Sequence, residues 1–453
     1  MTQQTFSRRR FLEMAGLGTA ALALPLRDVR AAEIRRPNVI VIFSDDQGWG
    51  EISCNARTDA PTPNIDSIAA NGVRFTDGYV SCPVCSPSRA GLLTGRYQQR
   101  FGHYGNPQPA LDRKQWGLPL DQKTMADYMK ELGYATGAIG KWHLGDIAAY
   151  HPNRRGFDEF FGFIGGAHPY LNPTINSFNT IQRNGKPVDE KEYLTDAFAR
   201  EAVSFIERHK ARPFFLYLPF NAVHAPLDIP PKLADAFPEI KDPKRRAYAR
   251  MQKSMDDAVG QVLAKVRELD LEHDTLIFFV GDNGGPTPGT TSSNGPFKGY
   301  KTQVFEGGIR VPFVAQWRGH IAEGKVESRP VISLDILPTA LAAAAGKVAA
   351  NVDGINLLPY LRGNRTGRPH ASLCWKFAGQ SAIRMGDWKL AQHEKHGVRL
   401  YNLAEDPGEK KNLAAANPER VKQLQKVWGD WDAGNVKPLW APKRDAPWID
   451  DLW

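Results

Sequence analysis

The chain has 453 residues, 42% of them apolar and 24% charged, room for one large α/β domain with a smaller one or for two to three ordinary domains. Its formal charge of +9 falls to +6 once residues 1–31 are set aside, because that stretch holds five arginines against Glu13 and Asp28. So mild a balance, with no long Lys/Arg run, argues against a nucleic-acid partner and suits an anionic substrate or an ordinary solvated surface equally; four cysteines make no disulfide scaffold.

In chain order, Ser7-Arg8-Arg9-Arg10-Phe11-Leu12, an apolar Met14 to Leu26 and Val29-Arg30-Ala31 read as a twin-arginine export signal over 1–31. The expected location is then periplasmic or secreted, with the twin-arginine translocase as a transient partner. Gly16, Gly18 and Pro25 interrupt the apolar region, which is too short to span a bilayer, and no later stretch is long and apolar enough, so no membrane contact is expected after processing.

Asn38 to Phe43 is a continuous apolar run suited to a buried parallel strand, ending in Ser44-Asp45-Asp46-Gln47-Gly48. A short helix over Asn64 to Ala70 and the stretch Val73-Arg74-Phe75 lead to Ser81-Cys82-Pro83-Val84-Cys85-Ser86-Pro87-Ser88-Arg89. Pro87 suits the first turn of a helix, so Cys85 is expected at a helix start, where free N–H groups favour an anion or thiolate and Arg89 lies one turn on. As a bare Cys-x-x-Cys, Cys82 and Cys85 also read as a redox pair or half a zinc site, although Cys54 and Cys374 are isolated.

A helix over Thr124 to Leu132 precedes a strand over Ala135 to Ile139 and the loop Gly140-Lys141-Trp142-His143. The strand Phe214 to Leu218 ends near Asn221-Ala222-Val223-His224-Ala225-Pro226; a long amphipathic helix over Ala247 to Leu269 is followed by the strand Thr275 to Val280 and Gly281-Asp282-Asn283-Gly284. A strand over Val311 to Trp317 and an Ala-rich helix over Leu334 to Ala345 complete a doubly wound, mostly parallel mixed sheet sandwiched by helices, over 32–360. From 361 to 453 short alternating strands (Cys374–Phe377, Ala382–Arg384, Trp388–Leu390, Val398–Tyr401) and a helix over Asn417 to Trp431 indicate a smaller antiparallel sheet plus helix, and a tail.

Asp45, Asp46, Asp282 and Asn283 give four hard oxygen ligands at strand ends, a set for Ca²⁺, or for Mg²⁺ with more waters; each pair alone also makes turns and caps. His103, Tyr104, His168 and Tyr170 lie in loops where they line a sugar pocket or simply pack, and Trp440, Trp448 and Trp453 cover the cleft or seal the small domain.

From Pro37 to about Leu413 the chain resembles the sulfatase family, the formylglycine-dependent, arylsulfatase-like members of the alkaline phosphatase superfamily. The matching motifs are Asp45-Asp46-Gln47-Gly48, Cys85-Ser86-Pro87-Ser88-Arg89, Gly140 to His143, Asn221 to Pro226, Gly281 to Gly284 and Glu306-Gly307-Gly308-Ile309-Arg310, with Leu400 to Leu403 and Asn412-Leu413 late in the chain. The resemblance implies that 32–360 is catalytic and that Cys85 is converted by a formylglycine-generating enzyme to 3-oxoalanine (formylglycine), whose hydrate attacks a sulfate ester through a covalent sulfated intermediate. It implies one Ca²⁺ on Asp45, Asp46, Asp282 and Asn283, Arg89 on the hydrate, Lys141 and Lys301 on sulfate oxygens, His224 protonating the departing alcohol and His143 taking a proton from the second hydroxyl. Lys298 competes with Lys301 for its place; the spacing of Lys301 to Glu306-Gly307-Gly308 favours it. The implied substrate is a sulfated small molecule or polysaccharide. A formylglycine-dependent phosphodiesterase or phosphonate monoester hydrolase and a catalytically silent carbohydrate-binding relative are the alternatives.

Overall fold

The computed structural model describes residues 36–107, 116–171, 179–440 and 450–453; residues 1–31, where an export signal is expected, and Trp448 lie outside them. Four central strands run parallel side by side: β1 (Asn38–Ser44), β2 (Ala135–Lys141), β3 (Phe214–Pro219) and β4 (Thr275–Gly281), in spatial order β4-β1-β3-β2. β5 (Phe313–Gln316) lies antiparallel on β4, so the ten-stranded sheet is mixed.

β1 is buried on both faces, and its alternation divides the core. Val39, Val41 and Phe43 join one apolar cluster, Ile40 and Ile42 the other. The second is covered by α1 (Pro63–Ala70), α4 (Leu194–His209) and α5 (Pro243–Glu268), and the first by α2 (Cys85–Thr94), α3 (Met125–Glu131) and α6 (Ile336–Ala343). Each large apolar side chain fully buried in these layers contributes about 1.5–3 kcal/mol.

Helix boundaries differ from the sequence expectation for local reasons. α5 starts four residues before Ala247, because Asp242 caps it through Lys244 N at 3.0 Å and Pro243 occupies its first position. The Ala-rich helix opens as a 3₁₀ turn (Ser333–Asp335) before α6. α4 had no counterpart among the expected elements, although Ala197, Phe198, Ala202, Phe205 and Ile206 repeat at helical spacing on its buried face.

The C-terminal strands β6 (Leu373–Phe377), β7 (Gln380–Met385), β8 (Trp388–His393) and β9 (Gly397–Asn402) form an antiparallel meander, joined by tight turns such as that at Gly386 (φ +66°). α7 (Pro418–Asp432) buries Leu424 in the cluster of Ile383, Leu390 and Leu400. No helix among the described residues is long and apolar enough to cross a membrane.

Candidate active site

The carboxyl ends of the four parallel strands meet at one place, as doubly wound sheets require of their sites. β1 delivers Asp45 and Asp46, β4 Asp282 and Asn283, β3 the loop Asn221–His224, and β2 Lys141 and His143. Backbone bonds stitch these ends together: Asp45 N to Ala222 O, Val223 N to Asp45 O and Asp282 N to Ser44 O, at 2.8–2.9 Å. Gly284 has no room for a side chain, since a Cβ would lie 1.8 Å from Gly307 O.

α2 aims its first residue, Cys85, at this rim. Asn106 Oδ1 accepts from Ser86 N at 3.0 Å, satisfying one of the helix's free N–H groups. The Cys85 sulfur lies 3.5 Å from Asp45 Oδ1 and 3.3 Å from Lys301 Nζ. One ligand atom from each of Asp45, Asp46, Cys85 and His224 falls within 4.8 Å of the others. Burial pushes the Cys85 thiol up to about 12, against the pull of Lys141 and Lys301, so at neutral pH it is protonated and a poor nucleophile. Cys82 packs with Tyr79, Val84 and Tyr97, burial raises its thiol too, and it is not among the ligand atoms that gather with Cys85.

Three carboxylates and three cations interlock around Cys85. Lys141 Nζ bonds Asp45 Oδ2 at 2.6 Å, Lys301 Nζ meets Asp46 Oδ1 at 2.7 Å, and Arg89 Nη2 donates to Asp282 Oδ2 at 2.8 Å. Arg89 is fully buried, and its Nη1 donates to Lys141 O. Burial and the neighbouring Asp45 push Asp282 up to about 6, while Asp46, raised by burial, is held far lower by Lys301 and His224. Asn283 Nδ2 donates to Asp46 Oδ1 at 2.8 Å, leaving its Oδ1 buried without a partner, an arrangement that costs about 1–3 kcal/mol unless something fills it. Crowded carboxylates with a free amide oxygen fit a hard divalent cation, and the Asp45, Asp46, Asp282 and Asn283 set is all oxygen.

The two histidines stand differently. His224 is 3.5 Å from Asp46 through Nε2 and pairs Nδ1 with Ala225 O at 2.6 Å, which makes Nδ1 the protonated nitrogen and leaves Nε2 for the site. Burial lowers it to about 4 despite Asp46. His143 sits at φ +58° with Nδ1 buried and unpartnered, packed over Gly166, and burial with Lys141 and Arg89 holds it neutral. Lys298, the competing lysine, lies 4.1 Å over the Phe305 ring instead.

The suggested pocket residues are buried and committed to protein partners. His103 pairs with Ser86 Oγ at 2.7 Å, Tyr104 donates to Val436 O, His168 pairs with Pro169 O, and Tyr170 donates to Asn221 O and His224 O. Trp440 packs between His103 and Trp116, and Trp453 against Phe305 and His393. Tyr170 and Gln380, which bonds the Lys301 segment, carry site contacts that the sequence motifs did not disclose.

Residues 37–347 match the sulfatase family model and 297–428 the model of the N-sulphoglucosamine sulphohydrolase C-terminal region. The chain is 32% identical to N-acetylgalactosamine-6-sulfatase of Sus scrofa over 471 residues, spanning 92% of this chain and 87% of that protein. Arylsulfatase A of Homo sapiens is 35% identical over 470 residues, 89% of each chain. Among solved structures, Ps i-CgsB superposes with a TM-score of 0.86 at 36% identity, covering 90% of this chain and 96% of that one, and is also known in complex with k-i-k-neocarrahexaose.

Proposed function

The chain belongs to the sulfatase family of sulfuric ester hydrolases, and on that footing we propose that it removes sulfate from a sulfated carbohydrate at a residue-85 formylglycine. One observation carries the reading: Lys301, Lys141, Arg89 and three aspartates, from five separate segments, converge on the Cys85 sulfur. The likeness to an N-acetylgalactosamine-6-sulfatase and to Ps i-CgsB, solved in complex with k-i-k-neocarrahexaose, supports a sugar substrate.

Asp45, Asp46, Asp282 and Asn283 would hold calcium. When present, calcium adds positive charge at the sulfate oxygens and the formylglycine hydrate supplies the attacking hydroxyl. The remaining steps belong to the chain itself. Lys141 and Lys301, fixed by their aspartates, bind the equatorial sulfate oxygens and stabilise the charge that grows there. Arg89, clamped by Asp282 one helical turn from residue 85, holds the oxygens at that residue. His224 presents Nε2 to the leaving oxygen; an anionic ester beside it favours its protonated form and so its role as general acid. His143, kept neutral, accepts a proton from residue 85 as sulfate departs.

The arginines at 8–10 and the apolar stretch after them support export to the periplasm or medium, with the translocase and a formylglycine-generating enzyme as transient partners. Hydrolysis of an aryl sulfate and an aryl phosphodiester, measured side by side on the purified protein, tests the activity. Preference for the sulfate is expected, and a strong preference for the phosphodiester overturns it. A panel of sulfated monosaccharides and polysaccharides then identifies the sugar.

A further inference from the structure

Gln380 opens β7 of the C-terminal sheet and is 1% exposed. Its Nε2 donates to Thr302 O at 2.9 Å, while its Oε1 accepts from Val304 N at 3.3 Å and from Trp453 Nε1 at 3.2 Å. Thr302 O and Val304 N belong to the segment that directly follows Lys301. Thr302 stands at φ +78°, a left-handed conformation that a β-branched residue resists. On its other side, Thr302 N donates to Pro83 O at 2.8 Å, two residues before Cys85. Thr302 is therefore gripped from the Cys85 loop and from the C-terminal sheet, in a conformation it would leave if released. From that backbone, Lys301 reaches Asp46 and the Cys85 sulfur.

We propose that Gln380 is a positioning residue for Lys301: by holding Thr302 O and Val304 N, the C-terminal sheet sets where the ammonium group meets the sulfate. The proposal rests on the reading of Lys301 as a sulfate ligand. Release of Thr302 rotates the main chain beneath Lys301 and displaces Nζ, which the long side chain recovers only in part.

The test is a double-mutant cycle with an activated aryl sulfate, on full-length protein carrying the residue-85 modification, with melting curves for every variant. Gln380→Met, which keeps length and burial, is expected to lower kcat/KM on the order of tenfold, and Lys301→Ala by about 10²–10³-fold. Added to Lys301→Ala, Gln380→Met is expected to cost less than about twofold more, because the group it positions is gone. Thr302→Gly, which accepts a positive φ without strain, is expected to restore most of the Gln380→Met loss. Gln380→Glu keeps the acceptor for Val304 and Trp453 and loses the donor to Thr302; it is the second variant, with the same pattern expected. A full tenfold loss in both backgrounds, or no loss in either, overturns the positioning role. Near-normal activity of Lys301→Ala overturns instead the reading of Lys301 on which the proposal stands.

Discussion

Two buried clusters in this protein hold the same formal charge and differ in what they leave open. Around Cys85, Asp45, Asp46 and Asp282 face Arg89, Lys141 and Lys301. Where the C-terminal sheet meets the segment after Lys301, Asp77, Glu306 and Glu409 face Arg310, Arg384 and Lys389. In both clusters each carboxylate meets a cation within 3.2 Å; in the second, Lys389 lies between Glu306 and Glu409 at 2.8 and 2.9 Å, all three side chains fully buried, and burial with Glu306 pushes Glu409 up to about 7. In the first, Asp45 helps push Asp282 up, Asn283 Oδ1 and His143 Nδ1 have no partner, and Lys301 and His224 keep contact with solvent. A divalent cation added to the first leaves a positive surplus suited to an anionic ester; in the second, the one side-chain atom short of a hydrogen bond, Glu409 Oε1, already lies 2.9 Å from Lys389. Unfilled valences, more than net charge, mark the candidate site.

The sharpest way to separate the clusters is to break each. Lys389→Met leaves the buried Glu409 without its cation and Glu306 with Arg310 alone, and is expected to cost about 3–5 kcal/mol of stability, read by denaturant or thermal unfolding, with little change in kcat for the molecules that stay folded. Loss of activity without loss of stability would reverse the assignment. In the first cluster, saturating calcium is expected to raise the melting point, about 2.7 kcal/mol at one hundred times its Kd, and Asp282→Asn to abolish that shift. An unchanged melting point with calcium in the parent protein would remove the metal from the account.

Cys82→Ala probes the neighbour of Cys85. It is expected to cost about 1 kcal/mol from the small cavity, with kcat/KM on an aryl sulfate unchanged. The smallest effect belongs to His370, whose Nε2 lies 2.9 Å from Asp335. Burial lowers its pKa, but the Asp335 carboxylate outweighs burial and raises it above the ordinary imidazole value. A raised native pKa adds stability that is complete below the ordinary value and fades as pH rises through the raised one. His370→Gln should therefore destabilise at about pH 6 and much less at about pH 9; an equal gap at both would contradict the pairing.

The strand-end motifs were legible because continuous apolar runs stopping at Asp-Asp, Asp-Asn or Lys-Trp-His are local signals, and a parallel sheet brings such ends together. Only the turn tells Lys301 from Lys298, pointing one at Cys85 and laying the other on Phe305. Gln380 left no trace, since its partner is 78 residues away and a strand glutamine reads as a solvated side chain. The loop position of Tyr170 left pocket lining and simple packing open; its hydroxyl serves two carbonyls of the His224 loop. α4 was readable from its apolar spacing, and the early start of α5 from Asp242-Pro243.

The central claim is that the cations and aspartates serve a modified residue 85, not a thiol. Mass spectrometry of the peptide containing Cys85, on protein purified from a host that makes the modification and is active on an aryl sulfate, tests it directly. The account predicts an aldehyde in place of the CH₂SH group, in a fraction that tracks specific activity across preparations. A fully active preparation in which Cys85 is an intact thiol throughout would contradict it.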